Sequence, residues 1–131
     1  MDNKKDRKLI SESIWKELEL ALSKAKHSSA GAPPSLSDRD FLEALLYLIR
    51  TGCPWRDLPE ELGYWHAVYM RFRRWEERGV WQKLWENLKE DRFVKARELL
   101  LDSTTVRAHQ HAAGAPKKTV AIRLWDALEG D

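Results

Sequence analysis

Cysteine is almost absent: Cys53 stands alone in 131 residues, so no disulfide can close within the chain, and a reducing cytoplasm suits such a protein. Long apolar runs are also missing; none approaches the roughly 20 residues that a bilayer-spanning helix needs. The opening MDNKKDRK is charged and has no apolar stretch behind it, which is not the pattern of a secretory signal. Nor does one sign of charge dominate. A formal net charge of +2 does not by itself announce a nucleic-acid partner. What is present is 34% charged and 43% hydrophobic residues, the balance of a globular chain rather than a disordered or membranous one. The length suits one ordinary domain, or a small domain and a fragment of another.

Tryptophan is plentiful instead. There are seven, and six of them, at 15, 55, 65, 75, 81 and 85, fall in the first two thirds of the chain. Each indole carries a large area to bury, so they read as the core of a small helical domain. Residues 9–26 (LISESIWKELELALSKAK) place Leu9, Ile14, Trp15, Leu18 and Leu22 near helical spacing. The Ser/Gly/Pro-rich linker that follows cannot prolong a helix. Ser37 or Asp38 then caps a helix with Phe41, Ala44, Leu45, Leu48 and Ile49 on its apolar face, stopped by Gly52 and Pro54. A short segment, WRDLPEEL, runs to a turn at Gly63. Two further helices are predicted, YWHAVYMRFRRWEER up to Gly79 and VWQKLWENLKED after it.

Helix, short segment, glycine turn and basic helix is the order of a helix-turn-helix unit. On a helical wheel Trp65, Val68, Tyr69, Phe72 and Trp75 share the inner side. His66, Met70, Arg71, Arg74 and Arg78 fall outside, with Arg73 at the edge. Such a face suits a major groove, where arginines pair with phosphates or with guanine edges. A solvated face, with Glu76 and Glu77 balancing the arginines, is the alternative.

Past residue 92 the pattern changes. LLLDSTTV (99–106) reads as a strand buried on both faces, although so short a span does not exclude helix. Asp102 closes the leucine run as either a Mg²⁺ ligand or a structural cap. His109 and His111 would share one side of a strand, where HxH can chelate a metal or simply face water. Lys117 and Lys118 are possible phosphate contacts.

The stretches RTGCPWRDLP (50–59), WHAVYMRFRRW (65–75), GVWQKLWENL (79–88) and LDSTTVRAHQHAAGA (101–115) occur in a specific order. Together they resemble the insertion-sequence-five superfamily of bacterial DDE transposases, with its N-terminal insertion-element-402-like domain, over about residues 36 to 118. The resemblance implies a mainly α fold: a helix-turn-helix-like domain followed by the first strand of an incomplete ribonuclease-H-like α/β domain. It divides the chain into an N-terminal helix and linker (1–35), a DNA-binding domain (36–92), the start of a catalytic domain (93–118) and a tail (119–131). Asp102 matches the first of three carboxylates that hold two Mg²⁺ ions for in-line attack on phosphorus. The implied partners are transposon terminal inverted repeats and the full-length transposase, with no membrane.

After Lys118 the match breaks. Where the family continues much like DQALGRSRGG, this chain reads AIRLWDALEGD (121–131), and suitable codons for the second give the first in a neighbouring frame. The expectation is an upstream-frame product, completed by a backward slip of one nucleotide near Lys117 and Lys118, or a decayed copy. Asp126, Glu129 and Asp131 would then not be the other carboxylates, and this chain alone would not cut DNA. Residues 95–131 would be loosely helical or poorly ordered. A stand-alone DNA-binding regulator of transposition without catalysis is the alternative, and a helical interaction domain with merely solubilising arginines is a third reading.

Overall fold

In the computed structural model, residues 9–26, 36–112 and 120–129 are described, without the side chains of 105–112 and 129. Among the described residues all regular structure is helical: six α-helices and three 3-10 turns, with no strand. None of these helices is long and apolar enough to cross a membrane.

Helix α1 (Glu12–Ala25) starts where the Ser11 hydroxyl accepts the Ile14 amide, satisfying one of the free N–H groups of the first turn. Ser37 does the same for α2 (Asp38–Thr51) through Asp40, and Gly52, at φ 72°, ends that helix in a left-handed turn. Helix α2 is the most enclosed element: Phe41, Leu42, Ala44, Leu45, Leu46, Leu48 and Ile49 are all buried. Glu43 is buried with them, 4% exposed. Its carboxylate accepts the Leu9 and Ile10 amides at 2.8 and 3.1 Å, anchoring the approach to α1. A buried charge needs such donors, and two of them meet much of the desolvation cost.

The short segment becomes two 3-10 turns, Trp55–Asp57 and Glu60–Leu62, each entered from a proline. Gly63 follows at φ 138°, a backbone conformation open to glycine and strained for other residues. It leads into α3 (Trp65–Glu77). Gly79, at φ 72°, separates α3 from α4 (Val80–Leu88).

The aromatic residues meet behind α3. Trp75 and Trp81 lie 4.9 Å apart between centroids, Phe41 packs edge-on to Trp75 at 4.9 Å, and Phe72 lies 5.4 Å from Trp81. The Trp81 indole N–H donates to the Phe72 carbonyl at 3.3 Å. Trp75, Trp81 and Trp85 are buried, while Trp15, Trp55 and Trp65 pack against the core from its margin.

The strand expected at 99–106 is not formed. After the turn Asp91–Phe93, a single helix α5 (Val94–Ala112) runs through the leucines and the threonines. Phe93, Ala96, Leu100, Ser103 and Thr104 are buried at helical spacing, and the run AREL is made of good helix formers. Thr104 returns its hydroxyl proton to the Leu100 carbonyl at 2.6 Å, so the β-branched residue is accommodated within the helix. A strand would need neighbours to satisfy its backbone, whereas a helix satisfies its own.

Helix α6 (Val120–Glu129) packs on α5, α4 and α2. It buries Val120, Ala121, Leu124 and Leu128, so the region expected to be loose carries a regular apolar stripe. Helix α1 in turn packs on α4 and α5. The hydrophobic core therefore runs without a break from Ile10 to Leu128.

Candidate nucleic-acid interface

Helix α3 can present side chains outward because its rear is held firmly. Val68, Phe72 and Trp75 are buried, and Trp65 and Tyr69 are half-buried at the flanks. On the opposite side His66, Met70, Arg74 and Arg78 are exposed. Arg74 and Arg78 are one turn apart and make no ion pair among the described residues. Arg73 sits on the flank: it donates to the Tyr69 hydroxyl at 3.1 Å and lies 3.7 Å from Glu76 and 4.0 Å from Glu77. The bond to Tyr69 raises the Arg73 pKa above its ordinary value.

Arg71, grouped with the outward residues by the wheel, points inward instead and is 9% exposed. It donates to the Leu36 carbonyl at 2.6 Å and to Asp38 at 3.2 Å, with its guanidinium over the Phe41 ring. Lys26 holds the other Asp38 oxygen at 2.6 Å. One carboxylate thus ties the end of α1, the start of α2 and the middle of α3. Burial lowers the Arg71 pKa, while the Asp38 charge opposes that shift. The sequence did contain a signal for this inward turn. Arg71 follows Val68 by three positions and precedes Trp75 by four, the spacing of one helix face.

Two groups escaped the sequence reading. Arg56 stacks over Trp65 at 5.1 Å, beside Tyr64, which is 67% exposed. Arg123, from α6, reaches the flank of α3, where its guanidinium lies over the Tyr69 and Phe72 rings at 5.6 and 5.7 Å. No local pattern in the sequence could have brought Arg123 there.

Asp102 is exposed on α5. Among the described residues no group of three or more His, Cys, Asp or Glu is placed to hold a metal ion. A Mg²⁺ centre wants converging carboxylates, so the described residues do not fit one by themselves. The side chains of His109 and His111, with Lys117, Lys118 and Asp131, lie outside the described residues, as does the side chain of Glu129.

These features define an all-helical domain organised around one basic helix with a fixed aromatic rear. Residues 10–85 match the family described as "Putative transposase of IS4/5 family (DUF4096)", and the chain belongs to that family. It is 48% identical over 103 residues to "Uncharacterized protein y4sN" of Sinorhizobium fredii (strain NBRC 101917 / NGR234), covering 73% of this chain and 77% of that one. It is 32% identical over 108 residues to "Insertion element IS402 uncharacterized 16.2 kDa protein" of Burkholderia cepacia, covering 76% and 74% respectively. No solved structure matches the chain. The family match spans α1 to α4 and so includes the whole of α3.

Proposed function

We propose that this chain is the DNA-binding part of an insertion-sequence transposase and that α3 meets the terminal repeats of its element. The pair Arg74 and Arg78 carries the reading: two exposed guanidiniums a turn apart, free of ion pairs among the described residues, on a helix whose back cannot rotate away. His66 and Met70 complete the face and Arg73 flanks it. Arginines in this setting bind phosphates or the guanine edge, and the order of elements before α3 agrees with a helix-turn-helix approach. Arg71 is no part of this face, because it is buried and held by Asp38 and the Leu36 carbonyl.

Fluorescence anisotropy on a labelled terminal-repeat duplex tests this. The Arg74→Ala/Arg78→Ala double variant should bind about tenfold more weakly or worse. Its plot of log affinity against log salt should flatten by about 0.9 for each phosphate that is no longer neutralised. Unchanged affinity and slope in the folded double variant would refute the assignment of the face.

The finer reading adds a catalytic domain whose first carboxylate is Asp102, with Mg²⁺ as its cofactor in the complete enzyme. The exposed position of Asp102 on a helix favours the other reading, a regulator that occupies transposon ends and pairs with the full-length transposase. Under either reading the purified chain should not nick terminal-repeat DNA with Mg²⁺. Nicking by the completed enzyme that is lost in its Asp102→Asn variant would establish the catalytic reading, and nicking unchanged by that substitution would refute it.

A further inference from the structure

We infer that Arg73 and Arg123, both set against the Tyr69 ring, form a seat for one DNA backbone phosphate, so that α6 is part of the binding surface. The inference rests on the DNA-binding reading of α3 and extends it to a second helix. Two guanidiniums converge here from elements far apart in the chain. Arg73 reaches the phenol oxygen at 3.1 Å from within α3, while Arg123 covers the same ring from α6 at 5.6 Å. Like charges brought together need a shared anion. The carboxylates that pair with them hold them loosely: Glu76 lies 3.7 Å from Arg73 and 3.8 Å from Arg123, and Glu77 lies 4.0 Å from Arg73. Charge-assisted hydrogen bonds are far shorter, about 2.7–2.9 Å.

A phosphodiester matches what these groups lack. Its two free oxygens can accept from both guanidinium forks and from the phenol at normal distances, in place of the longer reach to Glu76. The seat is open to a large ligand, since the Arg73 side chain is 43% exposed and that of Arg123 27%. It also adjoins the proposed DNA face, because the exposed His66 ring lies 6.4 Å from the Tyr69 ring between centroids. The Tyr69 phenol is pulled below its ordinary pKa, first by the hydrogen bond from Arg73, with the nearby Arg123 guanidinium adding to the shift.

The test is anisotropy with the full chain on two labelled duplexes, the terminal repeat and a scrambled sequence of equal length, across a range of salt. Arg123→Gln should weaken both probes by the same factor and flatten the salt slope by about one unit, while Arg123→Lys keeps most of that slope. Glu76→Gln, which removes the carboxylate shared by both guanidiniums and neither guanidinium, should tighten both probes severalfold. That variant keeps the test decisive if Arg123→Gln fails to fold. A wild-type slope in Arg123→Gln, or no gain in Glu76→Gln, overturns the seat. If Arg74→Ala/Arg78→Ala still weakens binding in that case, the reading of α3 survives. A wild-type chain that binds neither duplex overturns both.

Discussion

Replacing Arg71 with alanine would leave the Leu36 carbonyl without its donor and Asp38 with Lys26 as its partner. A hydrogen bond to a charged group is worth about 1.5–3 kcal/mol when buried, and less here because Asp38 is partly solvated. Arg71→Ala should therefore lower stability by about 1–3 kcal/mol in urea titration. The folded variant should keep the wild-type salt slope for DNA, the reverse of Arg74→Ala/Arg78→Ala. A flattened slope in Arg71→Ala would return that residue to the contact surface. At this scale the sequence placed His66, Met70, Arg74 and Arg78 on the outside correctly: the first three lie away from the Val68–Phe72–Trp75 stripe, and Arg78 stands at the cap where the helix ends. Arg71 lies on the border of that stripe. Its charge pulled the reading outward, while its nearness to Asp38, |i−j| of 33, depends on tertiary structure.

The first four helices were legible because their ends are written in local chemistry: Ser11 and Ser37 cap two of them, and Gly52 and Gly79 turn the chain after two. Between these signals the 3.6-residue spacing of apolar groups has one consistent reading. Helix α5 offers no such signal. Three consecutive leucines satisfy a period of two and of 3.6 equally, and the threonines after them favour a strand on propensity alone. The helix makes a distinct demand on that run. Leu100 is 4% exposed while Leu99 and Leu101 are half-buried. Leu100→Ala should cost about 2–5 kcal/mol, and the alanine variants of its two neighbours should cost visibly less. Three equal losses by chemical denaturation would instead describe a strand enclosed on both faces.

Across the whole molecule, α6 decides how many folding units there are. Leu124 is 2% exposed within a core that also contains residues of α2 and α4. Leu124→Ala should lower the stability of the entire chain by about 2–5 kcal/mol, a large share of the roughly 5–15 kcal/mol typical of a domain. Calorimetry should show a single transition moved to lower temperature. A separate early transition, with the main one unmoved, would make α6 an appendage on an independent helical domain. The sequence could not settle this, because it shows that α6 has an apolar stripe but not which surface waits for it.

The first turn of helix α5 is held in part by another helix. The amide of Ala96 is held by the Glu17 carboxylate of α1 at 3.0 Å, across a separation of 79 positions. The Asn87 amide similarly donates to the Ala21 carbonyl across 66. During synthesis α1 therefore leaves the ribosome long before its partners exist, and it must wait with Leu18 and Leu22 uncovered until α4 and α5 have emerged. Nascent chains stalled before that point should be open to protease within α1, and closed to it once the later helices are clear of the exit tunnel.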